Sequence, residues 1–260
     1  MNAIQMKWKA SQMIKEKMYS TLKIENFEVQ QLIDLKLVFE TAVRKWFADN
    51  GDEKLLQCCP LDHNSVVVEV GGYEGCWSEV IHKKYQPKLY ILEPVEAFYN
   101  TLEAKFSSHS EVKLFKYGLG DEGVFKIRHS SDGTSLFSQD AKLSKKIFKS
   151  LKLKNLYAML KNRTEEINIV SFDSFISQTA LQQIDLIQIN IEGAEFQLMP
   201  QILKHPILNK IKRIQVQYHI GKVENAVEQR NAIRKRLRMT HKEVFNYPFV
   251  WEAWELNTQA

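Results

Sequence analysis

The chain has 260 residues, 44% hydrophobic and 26% charged, with a net charge of +5. This balance supports a buried core and excludes a disordered or low-complexity chain, and no apolar run reaches the length of a membrane span. The first twenty residues carry lysines without an apolar stretch, so no secretory signal is expected, and a reducing, cytoplasmic setting fits three cysteines of odd count.

Residues 1–60 read as an N-terminal helical extension. From Phe27 to Phe47, Val29, Leu32, Leu35, Phe39, Ala42 and Trp46 recur at steps of three or four, which is helical spacing, and Asn50-Gly51-Asp52 ends the helix. Cys58 and Cys59 are neighbours without zinc spacing, Cys76 stands apart, and no His/Cys/Asp/Glu set has ligand spacing, so no metal is expected.

Residues 61–260 read as one α/β domain. VVVEVGGYEGCWS (66–78) is a doubly buried strand ending in an acid, a glycine loop, and the start of a helix over 76–84. KLYILEP follows as a strand over 88–92 closing on Glu93. Further strands are expected over 111–117, 184–190 and 211–219, and helices over 95–106, 194–204 and 222–238. Residues 121–170 interrupt this alternation with short strand signals, GVFKIRH and TSLF, and a Lys-rich insertion at about 138–165. KEVFNYPFVWEAWEL then reads as a hairpin around Asn246-Tyr247-Pro248. Alternating strands and helices imply a mostly parallel sheet covered on both faces. With the C-terminal antiparallel hairpin it resembles the seven-stranded Rossmann-like class I methyltransferase sheet and differs from a dehydrogenase sheet.

A strand–loop–helix unit of this kind receives a ligand at the strand's carboxyl end. The strand-end carboxylate of Glu93 suits the two hydroxyls of a ribose. A nicotinamide cofactor prefers G-x-G-x-x-G, and a phosphate-cradling loop needs G-x-x-x-x-G-K-[ST]. Neither is present, since the glycines are Gly71, Gly72 and Gly75. S-adenosyl-L-methionine has no phosphate and needs acids for its ammonium group and ribose. Glu69, the glycines and Glu93 suit it best. A tight turn with no ligand is the plain alternative.

EVGGYEGCWS resembles the D-x-G-A-N-x-G-x-x-[ST] of the FkbM family, and ILEPVEAFYNTLEAKF its F-E-P-x-P-x-x-F-x-x-L. VSFDSFI and IDLIQINIEGAEFQLM resemble its T-L-D-x-(L/F) and I-D-L-(I/L)-K-I-D-V-E-G-x-E, and VQYHI its E-x-H strand end. The resemblance spans roughly residues 60–220. It implies an S-adenosyl-L-methionine-dependent methyltransferase, most often acting on a hydroxyl of a sugar, a glycan or a small natural product. Departures are Glu69 for Asp, Tyr73 for Asn, Gln188 for Lys, Asn190 for Asp and Gln217 for Glu. Two ionised groups on the fourth strand thus become amides.

His219, at a strand end on the ligand-binding edge, is the expected general base, with an unperturbed pKa suited to neutral pH. Glu192 and Glu195 flank Gly193 and orient acceptor or donor, or simply occupy a helix's first turn, where acids are favoured. Asn190 takes the place of the family's acid beside the cofactor. By analogy with class I methyltransferases, Asp121 receives the adenine amino group and Leu119 flanks the ring. Ser135 and Thr134 resemble a family turn near the active site.

Two basic clusters stand out. Eight Lys or Arg and no acid lie between Lys142 and Arg163, and a second group is Arg230, Arg234, Lys235, Arg236 and Arg238. They are either solvated helix faces or attractors of an anionic partner such as a membrane surface, a sugar phosphate or nucleic acid. A nucleic-acid methyltransferase is the rival enzyme. The chain lacks the (N/D)-P-P-(Y/F) tetrad of base-amino methylation, having NIEG after the fourth strand. A binding protein with a decayed cofactor site is the non-enzymatic rival, suggested by Gln188, Asn190 and Gln217.

Overall fold

The structure is a computed structural model that describes residues 27–128, 164–219 and 223–257. Its main sheet holds β1 (Val66–Val70), β2 (Lys88–Leu92), β3 (Val112–Phe115), β7 (Leu186–Ile189), β8 (Arg213–Val216), β9 (His241–Tyr247) and β10 (Trp251–Leu256). The order is β3-β2-β1-β7-β8-β10-β9. β10 runs antiparallel to both neighbours, β8 and β9, while the other pairings are parallel. Val67, Val68 and Val70 are fully buried, as are Leu186, Ile187 and Ile189 on the adjacent strand. β-branched and aliphatic side chains on both faces are what a parallel sheet between two helical layers requires.

The helices are α1 (Phe27–Ala48), α2 (Cys76–Tyr85), α3 (Glu96–Phe106), α4 (Phe172–Thr179), α5 (Glu195–Lys204) and α6 (Ala226–Leu237). Each expected strand and helix of the alternating core is present, with ends moved by up to four residues. Ala42 and Trp46 of α1 pack on Phe245, Tyr247, Val250 and Trp251 of the hairpin. The Trp46 and Tyr247 rings meet edge to face at 5.1 Å, and Tyr247 donates its hydroxyl to Asp49 at 2.6 Å. Gly51 is needed here, because a Cβ would lie 2.2 Å from the Trp46 ring. The hairpin turns at Pro248 and Phe249, closed by Val250 N–H donating to Tyr247 O at 2.9 Å.

A second, three-stranded sheet has the order β4 (Gly118–Leu119), β6 (Thr164–Val170), β5 (Gly123–Arg128). β5 was expected. β6 and α4 were not, although TEEINIV buries its alternate residues Ile167 and Ile169, and Ser171 caps α4 by accepting from Ser174 N–H. The TSLF strand signal, Ser135, Thr134 and the 141–163 segment lie outside the described residues.

The second basic cluster is not a uniform surface patch. Arg230 and Arg234 are buried, and both pair with the buried Glu252 of β10. Arg230 also donates to Asn246 at 2.6 Å, and Arg234 pairs with Glu243. Two of the five cations therefore hold α6 against the hairpin. Buried charges survive only when paired in this way.

Candidate functional site

At the carboxyl end of β1 the chain turns sharply. Gly71 has φ +90°, and a Cβ there would lie 2.2 Å from the Asn190 carbonyl. Only glycine permits both the angle and the close pass of this loop across the end of β7. Its N–H donates to Leu92 O at 2.9 Å, tying the loop to β2. Gly72 and Gly75 seat the loop against Ile91 and Leu102, which a Cβ would strike at 2.4 and 2.7 Å. Tyr73 holds a left-handed conformation, φ 48°, and its ring lies on Phe98 with centroids 4.4 Å apart.

Glu93 is fixed from two sides by main chain. Tyr73 N–H donates to Oε2 at 2.8 Å and Val95 N–H to Oε1 at 2.9 Å. Burial pushes its pKa up to about 7, and these two donors hold it from rising further. A carboxylate offers about four acceptor positions, so two remain for a ligand.

Around Glu93 lies a cavity of about 300 Å³, at the carboxyl ends of β1, β2 and β7. Gly71, Tyr73, Glu93, Asn190 and Glu192 form its polar side. Pro94, Val95, Phe98, Gly118, Leu119, Ile127, Ile167, Ile169, Ile191 and Ala194 form the rest. One apolar wall therefore comes from the second sheet. Asn190 Oδ1 is buried with no hydrogen-bond partner. An unpaired buried acceptor is costly, and a ligand donor would satisfy it.

The far end of the cavity is built differently. Glu192 and Gly193 have φ 54° and 110°, making a left-handed turn between β7 and α5. Glu195 is fully buried and serves three groups. Its Oε2 accepts from Gly193 N–H at 2.8 Å, while Oε1 accepts from His219 N–H at 2.6 Å and lies 3.1 Å from His219 Nδ1. His219 Nε2 lies 3.4 Å from Glu192 Oε1. Burial lowers the His219 pKa, but the hydrogen bonds and charges of Glu192 and Glu195 outweigh it, and the net value is pushed up to about 9. The ring is therefore an imidazolium at neutral pH.

Of the sequence-predicted site residues, Gly71, Glu93, Leu119, Asn190 and Glu192 line the cavity together. His219 reaches it only through Glu192, and Glu195 lies behind His219. Gly72 and Gly75 shape the loop without lining the cavity. Glu69 is buried on the other face of β1, hydrogen-bonded by the Ser78 hydroxyl of α2, and burial pushes it up to about 8. Strand alternation puts Val68 and Val70 on the opposite face from Glu69. Asp121 is exposed, accepts from Gln201 at 3.3 Å and is not a lining residue. Sequence reasoning missed Ile167, Ile169, Phe98 and Ile127. Phe98 lies in the EPVEAF segment and Ile127 in the GVFKIRH strand signal, both readable as elements but not as cavity wall.

The strand order, the glycine loop after β1 and the ligand-sized cavity at the strands' carboxyl ends define a Rossmann-like class I methyltransferase fold. The methyltransferase FkbM domain matches residues 69–247, and the chain belongs to that family. No curated protein matches the chain. Solved structures that the chain matches include an rRNA methylase from Streptococcus thermophilus, 11% identical, with 76% of this chain and 90% of that one covered at a TM-score of 0.40. SMU.1697c from Streptococcus mutans, solved in complex with SAH, is 10% identical, with 81% and 97% covered at 0.43. A dimethyladenosine transferase from Plasmodium falciparum is 9% identical, with 80% and 61% covered at 0.43.

Proposed function

We propose that this chain binds S-adenosyl-L-methionine in the cavity and methylates a hydroxyl of a sugar, a glycan or a small natural product. The observation that carries the reading is Glu93, a buried carboxylate with two acceptor positions left over, facing a cavity that is polar on one side and apolar on the other. Glu93 suits the ribose hydroxyls. Asn190 Oδ1 suits a donor such as the cofactor's ammonium group, and Leu119, Ile167 and Ile169 suit the flat face of adenine. S-adenosyl-L-methionine supplies a methyl group on a sulfonium, already activated for displacement.

The protein's task is then alignment and removal of one proton. Glu192 lines the cavity, whereas His219 stands behind it as a cation. The base role expected for His219 therefore passes to Glu192, with His219 as a positioning residue. A hydroxyl grows strongly acidic as it gains a methyl group, so a carboxylate is base enough. His219 orients the Glu192 carboxylate through Nε2, and Glu195 orients His219 through Nδ1 and the main-chain N–H.

The test is turnover on a panel of hydroxylated sugars, glycans and small natural products, followed by mass spectrometry for addition of one methyl group. Glu192→Gln is expected to lower turnover by roughly 10²–10⁴ with cofactor affinity unchanged. Full turnover in that variant would leave alignment alone as the source of rate. Methylation of RNA in preference to every hydroxyl acceptor would overturn the substrate class.

A further inference from the structure

A second cluster of chemistry-bearing side chains lies at the opposite end of the sheet. His82 is in the last turn of α2, and His109 and Glu111 lie in the connection from α3 to β3. That connection folds tightly, with His109 N–H donating to Phe106 O at 2.9 Å and Val112 N–H to His109 O at 3.1 Å. The turn aims both side chains at the end of α2. His82 Nε2 lies 2.5 Å from Glu111 Oε1, and His109 Nδ1 lies 3.4 Å from the same oxygen. All three ligand atoms fall within 4.8 Å of one another. The sequence spacing alone gave no metal set, because His82 comes from another element than its partners.

We propose that His82, His109 and Glu111 form a binding site for a zinc-class divalent cation, tying the end of α2 to the edge strand β3. Two imidazoles and one carboxylate suit zinc and its neighbours, whereas calcium and magnesium prefer all-oxygen sites. Ligand atoms about 2 Å from a tetrahedral ion sit about 3.3 Å apart. The His109–Glu111 separation already matches, and turning the Glu111 carboxylate opens its contact with His82. The Phe106 ring, with its centroid 6.0 Å from that of His82 and 6.3 Å from that of His109, backs the site with apolar surface. The side chain of His82 is 14% exposed and that of His109 40%, so the site is walled on one side and open to solvent on the other. Three protein ligands leave a fourth position for water. The site stands at the amino end of β3, away from the cavity, so it is independent of the methyl-transfer reading.

The experiment uses the full chain freed of metal by chelation, with zinc titrated by calorimetry and cobalt(II) as a visible-absorption probe. We expect one zinc per chain, a higher melting temperature with zinc, and cobalt bands of a four-coordinate site. His109→Ala and Glu111→Gln should each weaken zinc by about 100-fold or more, a first-ligand loss being at least as large as an outer-shell one. Both side chains are partly exposed, so the metal-free melting temperature should stay near wild type. Absence of saturable binding at one equivalent would overturn the proposal. So would unchanged binding in the His82→Asn/His109→Ala double variant, which would assign the zinc to others of the seven histidines.

Discussion

The two ends of the cavity hold their carboxylates by different means. Glu93 is gripped by main-chain N–H groups of a loop twenty residues away and of the residue two positions on. Its setting is apolar, and burial pushes its pKa up to about 7. Glu195 likewise accepts from two main-chain N–H groups, those of Gly193 and His219, but it and Glu192 also face the His219 imidazole, which they drive up to about 9. Backbone donors alone set the first end, whereas the second adds a charged side chain that joins the turn after β7 to the end of β8. Loss of the acid at the first end is expected to act mainly on ligand binding, and loss of Glu195 at the second mainly on the fold of the turn.

The largest expected effect lies at the second end. Glu195→Ala leaves a buried imidazolium and two N–H groups without their partner, and should cost about 3–5 kcal/mol in denaturant unfolding. Glu93→Ala, removing an acid that is about half ionised at pH 7 and stranding no buried charge, should cost less. Equal costs would erase the distinction between the two ends.

A smaller effect follows from pH. The folded pKa of His219 lies above its ordinary value of 6.5, so its stabilising contribution is fully present below pH 6.5 and is lost as pH rises through about 9. The pH-dependent part of the stability gap between wild type and His219→Gln should be roughly 3 kcal/mol at pH 6, closing as pH rises through that value. A gap independent of pH would mean the ring is neutral. Glu93 gives the smallest signal. A ligand whose hydroxyls favour its ionised form should release a fraction of a proton on binding at pH 7, read by calorimetry in buffers of different ionisation heat. That release should shrink well above pH 7 and vanish in Glu93→Ala.

The same contrast explains what the sequence made legible. Residues 66–93 hold the first end almost contiguously, so Gly71 and Glu93 were readable from a strand, a glycine loop and a strand-end acid. Glu69 was read as a strand-end acid facing the cofactor, whereas period-two alternation within β1 turns it toward Ser78. Its register partner across the sheet is Gln188. An amide thus stands beside an acid that burial keeps neutral, at positions where the resembled family's motifs carry Lys and Asp. The second end was legible only as separate residues. Nothing in the spacing said that Glu195 would cross 24 positions to capture His219 and turn an expected base into a cation. The wall from Ile167 and Ile169 was hidden because β6 follows the Lys-rich insertion. The pairing of Arg230 and Arg234 was hidden because their acids lie on the hairpin.

The central claim is that the cavity holds S-adenosyl-L-methionine with its ribose on Glu93. Its most direct test is calorimetric titration of S-adenosyl-L-methionine and its demethylated product into wild type, Glu93→Ala and Glu192→Gln. The account predicts micromolar-range binding to wild type and no binding of NAD or ATP. It predicts a loss of about 1.5–3 kcal/mol in Glu93→Ala, or about 10- to 150-fold in Kd, with Glu192→Gln unchanged. Wild-type affinity in Glu93→Ala would contradict it.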